Sequence, residues 1–322
     1  MGILQIRKEA AERLQKDGNS FRRLVLIHTG ITAGVSVLLM LVTWLSQSIA
    51  PEGGLQHMDT QTLLTTAQTI LRLAAIIAVP FWDAGLIYCA LRMIRNRDNR
   101  FSTLTEGFSR WSPITGSLFF RGIIYFVTAM ACSTATSILL SLLPLPPSVY
   151  QELTAFAEQP SLPLDGSVLF LGVIYLVIYA AGLCVLLLPT VYLHRLVLHR
   201  IMDDEPCGGL QAVIHSRLMM RGQRWKLVRL DLSFWWFYLL ELLISCISMG
   251  DLILTELGVT LPVSADVAAW VFPLAGLVCQ VALYALAKPG ISLSYALFYQ
   301  SAFDAAAHTP KPTAPKRMPW KY

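Results

Sequence analysis

The sequence predicts an all-α integral membrane protein, a bundle of six transmembrane helices with amphipathic surface helices on its cytoplasmic side. Three observations predict it. Of 322 residues, 55% are hydrophobic and only 14% charged, where a soluble domain carries about a quarter charged; the mean hydropathy is +0.57. Six apolar runs, Leu24–Ile49, Leu63–Met93, Ile114–Leu143, Val168–Leu198, Leu230–Leu254 and Val267–Ala287, each meet the ~20 residues that cross a bilayer. Finally, Lys and Arg occupy every second connection.

That alternation sets the orientation. Before the first run lie Arg7, Lys8, Arg13, Lys16, Arg22 and Arg23. Arg95, Arg97, Arg100 and Arg110 separate runs two and three. Arg200, Arg217, Arg221, Arg224, Lys226 and Arg229 separate runs four and five, and Lys288, Lys311, Lys316, Arg317 and Lys321 follow run six. The other loops, Ala50–Thr62, Pro144–Ser167 and Thr255–Asp266, contain neither Lys nor Arg. Basic loops stay inside, so both termini are placed in the cytoplasm of a bacterial cell, the spans in its cytoplasmic membrane.

Taken in order, Ile3–Lys16 reads as an amphipathic helix with Ile3, Ile6, Ala10 and Leu14 on one face, ended by Asp17-Gly18-Asn19. The chain divides into this N-terminal cytoplasmic segment over Met1–Arg23, a six-span domain over Leu24–Gln300, and a disordered basic tail over Ser301–Tyr322, rich in Pro and Lys from His308. Ser48-Ile49-Ala50 loosely resembles a signal-peptidase site. The apolar run before it is too long and Pro51 follows, so the first helix is expected to stay uncleaved. Between runs four and five, Leu210, Val213, Ile214 and Leu218 form one apolar stripe beside Arg217 and Arg221, as in a helix lying along a membrane surface. Gly222 breaks the pattern, and Trp225 and Lys226 mark the headgroup level. Glycine and an aromatic residue also precede spans one and three (Gly18 and Phe21; Gly107 and Trp111). This reads as three parallel repeats or as the common needs of any inward helix start.

The same stretch carries a resemblance. Ser216-x-x-Met219-x-x-Gly222-x-x-Trp225-Lys226-Leu227, then Leu230-Asp231-Leu232-Ser233-Phe234, is similar to the signature of a bacterial multi-spanning family, domain of unknown function 975. Leu188-Pro189 with Asp204-Glu205-Pro206 resembles the family's proline-ended helix and its Asp-x-Pro turn. Ile6-Arg7-Lys8-Glu9-Ala10 with Leu14 resembles its N-terminal helix. Thr190 stands where the family has glycine. The resemblance implies a membrane fold to about Tyr299 and no particular activity.

Ionisable residues inside spans are the candidates for chemistry. Asp83 follows Pro80 and lies ~12 Å from the inner end of span two at 1.5 Å per residue; Arg121 enters span three from the same side. They pair, or Arg121 extends to lipid phosphate and Asp83 meets a neighbouring polar group. Glu241 lies ~17 Å into span five, where it joins a proton or cation relay or hydrogen-bonds a neighbour such as Gln280. Six cysteines, none in a C-x-x-C pair, read as small buried residues between helices. His194 and His199 are five apart, off the spacing that puts two metal ligands on one helical face. Asp203-Asp204-Glu205 reads as a solvated turn. No hydrolase elbow or phosphate loop occurs, so no catalytic residue, metal or cofactor is expected. The basic loops follow from topology and imply no nucleic acid. The partners expected are membrane lipids with anionic headgroups, together with a homo- or hetero-oligomer. The leading function is non-enzymatic transport or binding of a small solute or lipid; the alternative is a structural or assembly partner for other membrane proteins. Asp83, Arg121 and Glu241 around one polar cavity would favour the first, and a dry core with those groups paired the second.

Overall fold

The computed structural model describes residues 2–17, 20–48, 55–141, 151, 166–205, 207–256 and 265–308. All regular structure among them is helical: α1 (Ile3–Lys16), α2 (Ser20–Ser48), α3 (Leu55–Ile94), α4 (Phe101–Leu104), α5 (Glu106–Ser109), α6 (Trp111–Ser141), α7 (Gly166–Leu193), α8 (Val197–Ile201), α9 (Gly209–Met219), α10 (Arg224–Leu232), α11 (Trp235–Ser248), α12 (Gly250–Glu256) and α13 (Ala265–His308). Five helices are long and apolar enough to cross a membrane, six if the bent pair α10–α11 counts as one span. Gly18, the end of the first predicted span at Ile49, most of the loop Pro144–Ser167 and the tail after His308 lie outside the described residues.

The organising helix is α13, which packs against α1, α2, α3, α9, α11 and α12. Its 44 residues make it about 66 Å long, twice the ~30 Å of a hydrocarbon core. The sixth span was expected to end at Ala287, with a disordered tail from Ser301. The helix instead runs through Pro289 to His308. The reason is burial: Leu293 through Tyr299 are enclosed at the basic end of the bundle by α1, α3 and α9, and tertiary packing sustains a helix past a proline that would end an exposed one.

That basic end holds the core. Ile6, Ala10 and Leu14 of α1 bury their stripe against α13. Phe21 and Val25 of α2, Cys89 and Leu91 of α3, Leu196 and Ile201 beside α8, and Leu227 and Leu230 of α10 complete it. Asp17 ends α1 and starts α2, its carboxylate accepting the Phe21 N–H at 2.6 Å. Glycines set the closest approaches. A Cβ on Gly85 would collide with the Leu104 carbonyl, and one on Gly107 with that of Phe81, so α3 and the α4–α5 turn touch through bare backbone. Gly222, by contrast, adopts φ +82°, a turn conformation that suits glycine. Similar sequence positions thus do different structural work, and the glycine pattern does not mark a geometric repeat.

Three expectations change. The fifth span does not begin at Leu230. Leu230–Leu232 closes α10, and the chain bends by 57° before α11. Ser233 turns its hydroxyl back to the Leu230 carbonyl at 2.7 Å, and the buried Phe234 lies under the Arg7 guanidinium at 4.9 Å. Secondly, of the apolar stripe on α9 only Val213 turns inward, buried with Ala212, Ser216 and Met219, while Leu210, Ile214 and Leu218 are exposed. Its small-residue face alone approaches α6, where a Cβ on Gly209 would lie 2.6 Å from the Pro113 carbonyl. Thirdly, Cys184, Cys246 and Cys279 are exposed; Cys89 and Cys132 are buried. The exposed three lie on the outward apolar faces of their helices, where neighbouring side chains are exposed too: Val185 is 70% exposed and Val278 68%.

Candidate functional site

The polar groups inside the bundle gather around Asp83 and Lys288. Asp83 lies on α3 just after Pro80, and Lys288 lies on α13 just before Pro289. His28 of α2 is buried and brings Nε2 to 3.1 Å from an Asp83 carboxylate oxygen. That distance suits an ion pair, but the ring N–H does not line up as a hydrogen bond. On its other side His28 Nδ1 stands 3.5 Å from Lys288 Nζ. Lys288 also lies 5.0 Å above the Tyr284 ring.

Asp83 and Lys288 line two cavities. The first, of about 320 Å³, is bounded by α2, α3 and α13 and includes His28, Thr32, Gln280 and Tyr284. The second, of about 450 Å³, is bounded by α3, α6, α7, α8 and α13; Arg121, His194, Arg195 and His199 line it with Asp83 and Lys288. The structure therefore brings Asp83 and Arg121 to one cavity without joining them, and the side chain nearest the acid is the His28 imidazole. Arg121 Nε is buried and has no hydrogen-bond partner.

Glu241 does not meet Gln280 directly. The Tyr284 hydroxyl donates to Glu241 Oε1 at 2.6 Å and accepts from Gln280 Nε2 at 3.5 Å. A tyrosine one turn along α13 thus bridges the two residues that sequence spacing set opposite each other. Sequence reading passed over His28, Tyr284, Lys288 and Arg195. His28 was detectable as an ionisable residue four positions inside an apolar run. Lys288 counts among the loop-side charges because it stands just past an apolar run, and Arg195 stands near the end of one.

A second polar cluster closes the basic end. Asp203, buried and outside the spans, accepts from Arg95 at 2.5 Å, from the Tyr299 hydroxyl at 2.6 Å and from the Asp204 N–H at 2.8 Å. Arg200 stands 3.4 Å from its second oxygen. Burial opposes its ionisation, yet Tyr299, Arg95 and the Asp204 N–H outweigh that and hold the carboxyl below the ordinary carboxylate range. Asp204 pairs with Arg95 and Arg97, each at 3.0 Å, and Glu205 with Arg200 at 3.1 Å. The expected solvated turn is thus half right: Asp204 and Glu205 are exposed, while Asp203 is buried and clamped by arginines. Among the described residues no three His, Cys, Asp or Glu side chains stand close enough together to hold a metal ion.

The signature residues explain one another in this frame. The Ser216 hydroxyl donates to the Leu193 carbonyl at 2.9 Å, satisfying the end of α7; that helix continues four residues beyond Pro189, where a proline end was expected. Met219 and Leu230 are core residues, and Gly222 makes the turn. Arg7, from the N-terminal motif, donates to the Ser233 carbonyl at 3.1 Å. Trp225 and Lys226 remain exposed. Asp231 accepts from the Tyr192 hydroxyl at 2.6 Å and from Tyr295, joining α7, α10 and α13. The motifs from both ends of the chain therefore converge on one joint at the basic end. No curated protein and no solved structure matches the chain. The family model described as Protein of unknown function (DUF975) matches residues 2–305, nearly the whole sequence and every element of that joint, and the chain belongs to this family.

Proposed function

We propose that the protein binds, and moves or presents, a small solute or lipid in the polar space between its spans, without catalysing a reaction. The observation that carries this reading is the pair of cavities sharing Asp83 and Lys288. Polar residues placed within a membrane-spanning bundle are costly and characteristically mark a pathway or binding site. The basic end lies in the cytoplasm of a bacterial cell under this reading, with both termini there. The exposed Leu210, Ile214 and Leu218 rest in the lipid interface beside Arg217, Arg221, Trp225 and Lys226, which meet anionic headgroups. Residues 1–23, the spans and the chain after His308 act as one membrane unit with cytoplasmic ends.

One observation favours the second reading, an assembly partner for other membrane proteins. Glu241 is paired with Tyr284, the arrangement expected of structural glue. Asp83 and Arg121 are not joined in that way, which places the binding reading first. The deciding experiment extracts the full-length protein with its surrounding bilayer and identifies retained molecules by mass spectrometry. A species enriched over bulk lipid supports binding. A retained membrane protein with no enriched small molecule supports assembly instead.

A further inference from the structure

We infer that the cavity between α3, α6, α7, α8 and α13 is a site for a phosphate-type anion, the headgroup of an anionic phospholipid or a soluble phosphate; the inference rests on the binding reading and names its ligand class. The first ground is charge. Arg121, Arg195 and Lys288 line the cavity against one carboxylate, Asp83, with His194 and His199 beside them. Asp231 acts on Arg195 from outside the cavity, and Asp83 and, from outside the cavity, Glu241 act on Lys288. Arg121 has no carboxylate partner among the described residues; its electrostatic neighbour is the Tyr125 ring hydroxyl. A guanidinium held away from water without a counter-charge is unfavourable, and an anion relieves it.

The second ground is unsatisfied hydrogen bonding. Arg121 Nε and His199 Nδ1 are both buried and without partners, and both residues line this cavity. His199 is only 7% exposed. Buried polar atoms without partners are uncommon in folded proteins. Two around one cavity, from α6 and α8, with the Tyr125 and Ser292 hydroxyls also lining it, offer polar groups suited to phosphate oxygens. The planar fork of arginine matches that geometry with two parallel bonds.

The third ground concerns the rest of the ligand. About 450 Å³ falls within the range of small-molecule sites. Val191 and Arg195 also line an adjoining groove with Leu188, Leu232 and Trp235, each exposed. The groove is lined mainly by apolar side chains, with Asp231 beside Arg195, and gives the acyl chain of a lipid held at Arg121 an apolar surface next to the cavity, which favours the lipid source.

The test uses full-length protein in nanodiscs of phosphatidylcholine, alone or mixed with phosphatidylglycerol. A parallel arm titrates inorganic phosphate against chloride at matched ionic strength. Thermal unfolding is the readout. Phosphatidylglycerol is expected to raise the unfolding temperature over phosphatidylcholine; a rise with inorganic phosphate alone identifies a soluble anion instead. Either response should vanish in Arg121→Gln and persist in Arg72→Gln, a change at an exposed arginine elsewhere on α3. If Arg121→Gln does not fold, Arg121→Lys should respond with affinity about tenfold weaker, the fold-change of one lost charge-assisted hydrogen bond. No response to either anion, or equal responses in wild type and the Arg121 variant, overturns the inference. A neutral molecule retained by the protein together with that outcome leaves the binding reading standing; the absence of any retained molecule removes both.

Discussion

At the basic end, Asp203 gathers Arg95, Arg200 and Tyr299, and Asp204 and Glu205 take up the remaining guanidinium positions. Inside the bundle, Arg121, Arg195 and Lys288 stand with tyrosines and histidines around a space holding one carboxylate. The residue types are alike, and the closure differs. In the clamp each acid meets its arginines at hydrogen-bond or ion-pair distance, Asp203 buried in the core and Asp204 and Glu205 exposed at its edge. In the cavity, Arg121 Nε and His199 Nδ1 are left without partners. Closed electrostatics join elements of structure, while open electrostatics leave room for another molecule. The contrast is why we propose the cavity, and not the larger charge cluster, as the binding site.

The sharpest way to break the comparison is at Asp203. Asp203→Ala leaves two arginines and a tyrosine facing a void, and breaking such a buried pair costs about 3–5 kcal/mol. Denaturant unfolding in detergent should show this; a variant as stable as wild type would make the clamp ornamental. The same carboxyl predicts a pH dependence. Its folded pKa is depressed, so the unfolded chain takes up this proton first as pH falls. The stability Asp203 contributes is full above about pH 4, the ordinary carboxylate value, and is lost as pH drops through the lower folded value. Asp203→Asn should flatten that limb of the stability profile.

Next in size are the backbone contacts and the paired acid. Gly107→Ala forces a methyl group against the Phe81 carbonyl and should cost about 1–3 kcal/mol. Glu241→Leu strips the Tyr284 hydroxyl of its acceptor and should cost about 1–3 kcal/mol, while Glu241→Gln retains an acceptor and should be nearly silent. A more stable leucine variant would show that the pairing does not hold the spans together.

How far the sequence foretold this contrast differs between its halves. The spans were legible because membrane crossing needs long apolar runs, and the sites of Pro80 and Asp83 were read correctly onto α3. The length of α13 was not, since the last apolar run ends at Ala287 and Lys288-Pro289 reads as a stop until α1 and α9 are seen to cover Leu293–Tyr299. Glu241 and Gln280 were read onto neighbouring helices, but Tyr284 between them was not, because aromatic hydroxyls in apolar runs look like packing residues. The bend at Ser233-Phe234 depends on Arg7, more than two hundred residues away, and local periodicity contains no trace of it.

The smallest expected effect lies inside the cavity. Asp83 and Arg121 share its wall without an ion pair, so a double-mutant cycle with Asp83→Asn and Arg121→Gln should show coupling within about 0.5 kcal/mol, the additivity limit for sites without a direct contact. Coupling well above that would mean the two charges meet and the cavity closes as the clamp does.

The most direct measurement is a density map of the full-length protein in bilayers containing phosphatidylglycerol. The account predicts a phosphate-shaped feature within hydrogen-bond distance of the Arg121 guanidinium, with Asp203 still enclosed by Arg95, Arg200 and Tyr299. A cavity empty of any such feature, with Arg121 turned onto Asp83, would contradict it.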